Sequence, residues 1–322
     1  MKACVVEELT GPSGMIYTDV EDPAEGPDSV IVEVRAAGVC FPDLLLTKGE
    51  YQLKLEPPFV PGLEAAGVVR WAPQGSGFAP GERVSAFGVL GGYAEQIAVP
   101  VANVMRSPVE LDDAEAVSLL VNYNTMYFAL TRRAAMQPGE SVLVLGGAGG
   151  VGTAAIQVAR AMGAGQVIAV THRASAVDYV KSLGADAVFL LEGDWAAQVR
   201  DFTQGRGVDM VVDPIGGSAF DDAVRVLATD GRLLVIGFAA GGIPTLKVNR
   251  LLLRNVGVLG VAWGEYLNKV PGSAELFSFG LSQLVAGGLR PPPPMRYPLS
   301  EGPAALQCLA DGGVLGKLVL EP

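Results

Sequence analysis

The chain has a single histidine, His172, among 322 residues, and only three cysteines, Cys4, Cys40 and Cys308. Zinc sites draw on Cys, His and carboxylate ligands in sets of three or four. With one histidine and no closely spaced cysteines there is no structural zinc pattern, and no metal ligand is assigned. An odd cysteine count without framework spacing also excludes a disulfide scaffold and fits a reducing cytoplasm. Positive charge is scarce as well: 23 Lys and Arg stand against 34 Asp and Glu, a net charge of −11. A nucleic-acid surface needs clustered Lys and Arg, and so does an anionic membrane surface, so neither partner is expected. Long apolar runs are missing too. The longest uncharged stretch, SVLVLGGAGGVGTAAIQVA, is broken by five glycines and turns from strand-like to helix-like. It reads as a strand–turn–helix and not as a membrane span. The opening MKACVVEELTG reaches two glutamates before a secretory apolar core could form, so no signal peptide is expected.

What the chain does have is apolar mass. Hydrophobic residues make up 50% of it and the mean hydropathy is +0.36, enough to fill compact cores. At this length two domains are the natural expectation. Residues 1–118 carry short β-type segments such as VIVEVRAAG, where Ile31, Glu33 and Arg35 alternate with Val32 and Val34. Clusters of Gly, Pro and Ser (EGPDS, PQGSGFAPGER, GVLGGY) separate them. From 119 to 264 helices and strands alternate, the pattern of a doubly wound parallel sheet. A helical stretch around ELFSFGLSQLVAGG, the proline run RPPPPMRYPL and a last strand, GKLVLEP, complete the chain. The prolines read as a rigid connector back to the first domain, which is expected to comprise 1–118 and 265–322.

The middle segment carries the strongest signal. SVLVL, residues 141–145, is short and apolar, as a buried parallel strand should be. It runs into GGAGGVG, in which Gly147, Gly149 and Gly152 satisfy G-x-G-x-x-G around Gly150 and Val151. Then VGTAAIQVARAMG places Val151, Ala155, Ile156, Ala159 and Met162 on one helical face. A strand, a glycine turn and a helix N-terminus together form a pyrophosphate site: the glycines allow close approach, and free N–H groups face the anion. The next strand, QVIAV, ends at Thr171-His172-Arg173. An NAD-preferring site places Asp or Glu there for the ribose hydroxyls. Here Arg173 can pair with a 2′-phosphate instead, so NADPH is the expected cofactor.

In this order the motifs resemble those of the medium-chain dehydrogenase/reductase superfamily, within it the zinc-free quinone oxidoreductase branch. AGVCFPDLL is similar to that branch's Gly-Val-Asn-Phe-x-Asp segment, and PFVPGLEAAGVV to its Pro-Gly-x-Glu-x-x-Gly-x-Val segment. VLVLGGAGGVG, GADAVF and the closing GKLVL follow in turn. The resemblance implies an α/β protein with a β-rich GroES-like domain and a Rossmann NADP(H) domain, pairing as a homodimer through the edge strand NVGVLGV. It implies that Phe41, Pro42 and Asp43 line the nicotinamide cleft, partly through backbone groups, and that Thr125 meets the nicotinamide end. It implies further that Gly237 and Phe238 form a loop over the nicotinamide, and that Val261, Ala262 and Trp263 offer backbone contacts to the carboxamide. Tyr51 stands where relatives carry an active-site tyrosine.

Departures from the pattern are informative. Zinc-dependent relatives read Gly-His-Glu where this chain has Gly62-Leu63-Glu64. Cys40 stands where such relatives have a ligand, yet alone it cannot hold a metal and reads as a small buried hydrophobe. Glu64, the lone charge in FVPGLEAAGVV, is expected to pair with an arginine near the cofactor cleft. Without a Lewis acid, hydride transfer needs an acceptor that is already electrophilic, such as a quinone or an activated alkene. The implied activity is an NADPH-dependent reduction of a small electrophilic acceptor. An enone or enoyl-thioester reductase and a non-catalytic NADPH-binding protein are the alternatives.

Overall fold

A computed structural model of the chain describes residues 1–88 and 90–322. It divides into two compact units, residues 1–121 with 290–322, and residues 122–289. The first unit opens with a two-stranded antiparallel pair, β1 (Lys2–Val6) and β2 (Met15–Asp19). The long β3 (Ser29–Val39) follows, then the short helix α1 (Phe41–Thr47). Next come β4 (Glu64–Trp71), β5 (Arg83–Phe87), β6 (Gln96–Pro100), β7 (Val104–Arg106) and helix α2 (Asp113–Phe128). In β3, Val32 and Val34 are buried while Glu33 and Arg35 face water, the alternation seen in the sequence. Beyond Arg35 every residue of the strand is buried, and β15 (below) and β4 pair with its two edges.

The second unit begins within α2 and continues as β8 (Ser141–Leu145), α3 (Gly150–Ala161) and β9 (Gln166–Thr171). Then come α4 (Val177–Ser182), β10 (Ala187–Leu190), α5 (Trp195–Phe202), β11 (Val208–Asp213), α6 (Ala219–Arg225) and β12 (Leu227–Val235). Helix α7 (Asn249–Arg254), β13 (Gly257–Gly260), α8 (Trp263–Lys269) and α9 (Ser273–Ala286) complete it. The six strands are parallel and ordered β10-β9-β8-β11-β12-β13. That order reverses direction between β8 and β11, the switch point where doubly wound sheets bind nucleotides. β8 is buried from end to end, as a central parallel strand must be when helices cover both faces.

The second boundary differs from the expected one. Residues 265–289 belong to the second unit and not to the first. The reason is aromatic packing: Phe277 on α9 meets Phe128 on α2 at 5.3 Å, edge to face, and Tyr266 on α8 lies 4.9 Å from Phe128. The prolines after Arg290 then lead into β14 (Met295–Pro298), α10 (Gly302–Ala310) and β15 (Leu318–Glu321). These rejoin the first unit: β15 pairs with β3 in a sheet ordered β14-β15-β3-β4-β5-β7, with β6 on β3. Among the described residues, no helix is long and apolar enough to cross a membrane.

Candidate functional site

In the second unit the glycine turn sits at the switch point. Gly147 N–H donates to Val170 O (3.0 Å) and Gly149 N–H to Gly146 O (3.0 Å), folding the chain tightly from β8 into α3. A Cβ on Gly152 would lie 2.1 Å from Gly146 O, so no other residue fits there. Thr153 N–H is bonded to Gly149 O at 2.8 Å. The N–H groups before it, on Gly150, Val151 and Gly152, have no preceding turn to bond to and remain for an anion. This cradle fits a dinucleotide pyrophosphate. At the end of β9, Thr171 is buried, His172 exposed and Arg173 half-buried, with Arg173 N–H donating to Thr171 Oγ1 at 3.4 Å. Thr153 and Tyr179 hydroxyls meet at 3.0 Å and tie α3 to α4 beneath this corner.

Further round the same sheet edge, β12 ends at Val235. Residues Gly237 and Phe238 open a loop that zips onto the turn after β11. Ala239 N–H donates to Pro214 O (3.1 Å), Ala240 N–H to Ile215 O (3.0 Å), and Gly217 N–H to Gly242 O (3.0 Å). Asp213 fixes that turn, a role the sequence reading missed. Its Oδ1 accepts from Ile215 and Gly216 N–H at 2.9 and 2.8 Å, and burial pushes its carboxyl pKa up. The signal was present as an acid closing the apolar strand VDMVVD. Phe238 is 38% exposed at the loop's surface. Val261 N–H bonds to Val235 O at 3.0 Å, Ala262 is exposed, and Trp263 begins α8 buried. Thr125 lies half-buried on α2.

The first unit carries the other expected residues. Phe41 and Pro42 open α1 half-buried, and Tyr51 lies half-buried in the irregular segment after it. Asp43 turns inward instead of outward. Its Oδ2 accepts from Cys40 N–H at 2.8 Å and from the Tyr93 hydroxyl at 3.1 Å, so its side chain caps the helix that presents Phe41 and Pro42. Its Oδ1 is buried, with no hydrogen-bond partner among the described residues. Burial pushes the Asp43 carboxyl up to about 7, against the pull of the Cys40 N–H, Lys317 and Tyr93.

Next to Asp43 lies a buried ion pair. Glu64 is fully buried, and its partner is Lys317, not an arginine. Lys317 Nζ also donates to Cys40 Sγ at 3.0 Å, and the Cys40 thiol donates to Glu64 Oε1 at 3.1 Å. Glu64 Oε2 accepts from Val121 N–H at 2.8 Å. Strand register explains the meeting. Gly38 pairs with Glu64 across β3 and β4, and Leu318 pairs with Val39 across β15 and β3, which sets Lys317 beside Cys40. Gly38 makes room: a Cβ there would lie 2.2 Å from Glu64 Oε1. Burial alone would lower the Lys317 pKa, but Cys40 and Glu64 outweigh it and hold the ammonium above the ordinary lysine value. Burial, and then the charge of Glu64, push the Cys40 thiol well above its ordinary value, so it stays protonated.

Comparison with known proteins follows this geometry. The alcohol dehydrogenase GroES-like domain model matches residues 26–109, and the zinc-binding dehydrogenase model matches residues 150–278. Quinone oxidoreductase-like protein 2 of Bos taurus is 34% identical over 293 residues, 90% of this chain and 83% of that one. A crystal structure of a probable oxidoreductase from Mycobacterium abscessus is 60% identical, covers 100% of this chain and 99% of its own, and has a TM-score of 0.93. The quinone oxidoreductase of Thermus thermophilus, solved also with NADPH, is 34% identical over 100% of both chains with a TM-score of 0.84. The second family model's description raises zinc, and the donor set here does not fit it. Among the described residues no three His, Cys, Asp or Glu converge to hold a metal ion. Cys40 and Glu64, the two donors that do meet, are both engaged by the Lys317 ammonium. With its two units, its glycine turn at the switch point and relatives covering most of its length, the chain belongs to the medium-chain dehydrogenase/reductase superfamily, among the quinone oxidoreductase-type members.

Proposed function

We propose that the chain is an NADPH-dependent reductase that delivers hydride to a small, already electrophilic acceptor of the quinone type, without a metal ion. The observation that carries this reading is the α3 N-terminus at the switch point. There the glycine turn leaves backbone N–H groups for a pyrophosphate, and Arg173 stands at the end of the neighbouring strand. The related Thermus quinone oxidoreductase, solved in complex with NADPH, supports the cofactor. Bound there, the nicotinamide supplies the hydride. The protein's own part is binding and orientation. The α3 N-terminus and Arg173 hold the phosphates, and the loop at 237–242, braced through Asp213, shapes the other end of the groove. A quinone suits such a site because the hydroquinone anion takes its proton from water, so no Lewis acid is required.

Following NADPH oxidation against quinones, enones and enoyl thioesters, with and without chelator, tests the reading. Turnover with quinones, unchanged by chelator, is the expected result. Activity lost to chelator and recovered with zinc would overturn it, and binding without turnover on any acceptor would make the protein a cofactor-binding module. The second expectation is a coenzyme preference. A charge-assisted hydrogen bond from Arg173 to the 2′-phosphate contributes about 1.5–3 kcal/mol, so NADPH should bind about ten- to a hundredfold more tightly than NADH. Arg173→Ala should weaken NADPH and leave NADH nearly unchanged, as read by cofactor fluorescence titration. Equal weakening of both removes Arg173 from the phosphate site.

The same reading includes a second copy of the chain. β13 is an edge strand of the parallel sheet, and in the chain before it Ile243, Val248, Leu252 and Leu253 are each more than 70% exposed. An unpaired strand edge flanked by exposed apolar residues supports pairing of two copies across a twofold axis. Light scattering should give twice the chain mass at micromolar concentration, and a monomer there would count against the dimer.

A further inference from the structure

The zinc-independent reading leaves a physical question: what occupies the place between Cys40 and Glu64, two buried donors of the kind that bind metal? We infer that the Lys317 ammonium is a tethered cation that keeps divalent metal ions out of this cluster, and that removing it turns the cluster into a metal site. The inference rests on the metal-free reading above and names the residue responsible for it.

The geometry is specific. Lys317 Nζ lies 3.0 Å from Cys40 Sγ and ion-pairs with Glu64 Oε1, so one cation touches both donors. Cys40 and Glu64 are in turn hydrogen-bonded to each other at 3.1 Å, so the two donors and the ammonium form one compact set. All three side chains are more than nine-tenths buried. Asp43, next in the cluster, feels the fields of Lys317 and Glu64, and its buried Oδ1 has no hydrogen-bond partner among the described residues.

Charge balance makes the exchange possible. With lysine present, the ammonium offsets the Glu64 carboxylate and the thiol keeps its proton. Without the ammonium, a divalent cation can bind the carboxylate and the sulfur while the thiol proton leaves to solvent. The set of Glu64, Cys40 and the cation is neutral in both states, which is what a buried site demands. A soft divalent cation suits a thiolate better than a hard one does, so a thiophilic ion is the one that Lys317 has to exclude. Lys317 therefore does by covalent attachment what a metal ion would otherwise do by binding, with no dependence on metal supply.

Cadmium titration of the full-length chain in a Cys308→Ser background, read by ultraviolet thiolate-to-metal absorbance, tests this. The parent should show no absorbance that depends on Cys40. Lys317→Ala should take up one equivalent, at least about tenfold more tightly than the parent, because the competing cation is gone. Cys40→Ser added to Lys317→Ala should abolish the signal. If Lys317→Ala folds only when Cd2+ is present, seen as a metal-dependent melting transition, the inference also stands. Cys40-dependent Cd2+ binding by the parent overturns it, and so does a Lys317→Ala chain that binds no Cd2+, folded or not. Because the readout is metal uptake and not turnover, this test and the chelator assay can fail independently.

Discussion

Lys317→Met should lower the stability of the protein by about 3–5 kcal/mol in metal-free buffer, because it strands a buried carboxylate whose partner has been removed. Glu64 is fully enclosed. After the substitution the Cys40 thiol and the Val121 N–H still donate to it, two neutral donors in place of an ammonium. The cost comes from desolvation left uncompensated more than from the attraction lost. That distinction has its own check. Adding Glu64→Gln to Lys317→Met removes the stranded charge, keeps an acceptor for Val121 N–H, and should restore most of the lost stability. The measurement is urea denaturation of the parent, the single variant and the double variant. A single variant within about 1 kcal/mol of the parent would show that the pair behaves like a surface ion pair, and the account of a charge held in a dry cluster would fall.

Asp43 should make the protein lose stability as pH rises through the neutral range, the reverse of the usual aspartate. Its carboxyl titrates at about 7 in the folded chain and at about 3.9 when unfolded. Between those values the folded state holds the proton and the unfolded state has released it. Stability therefore falls with rising pH across that window and levels off above it. A gap of about three units corresponds to about 4 kcal/mol in total, an order-of-magnitude figure. Asp43→Asn keeps an oxygen for Cys40 N–H and the Tyr93 hydroxyl but cannot ionise. It should be as stable as the parent near pH 4 and more stable at pH 8, as measured by denaturation at both values. A parent and variant with parallel pH profiles would mean that Asp43 ionises in the folded chain as easily as in water.

The dinucleotide site was legible in the sequence because its parts are local. Strand, glycine turn and helix follow one another within SVLVLGGAGGVG, and steric necessity at Gly152 is visible as a glycine. That the sheet is parallel follows from the alternation of its strands with helices, whereas the place where its order reverses, between β8 and β11, was decided by the fold. The helical stretch at 265–289 was assigned to the wrong unit for a physical reason. Its aromatic residues declare that it packs somewhere, but the ring partners Tyr127 and Phe128 lie far upstream on α2. Asp43 was legible as part of a motif but not in its orientation. Nothing in FPDLL says that the carboxylate turns back to cap Cys40 and reach Tyr93.

Glu64 marks where the sequence stops deciding. Its surroundings required a cation, and an arginine was the natural expectation because arginine is the usual partner of a buried carboxylate. The amino-acid order alone determined that a charge had to be neutralised, that histidine was absent beside it, and that a nucleotide-binding sheet lay downstream. Which cation neutralises it was decided by register. The antiparallel pairing of β15 with β3 brings Lys317 to Cys40 across 277 residues of chain, and β4 on the other side of β3 brings Glu64 to the same spot. Such a meeting has no local signature, since each strand pairs through its backbone and backbone hydrogen bonds are the same for every sequence. Only the assembled sheet, in which β15 and β4 pair with opposite edges of β3, selects lysine.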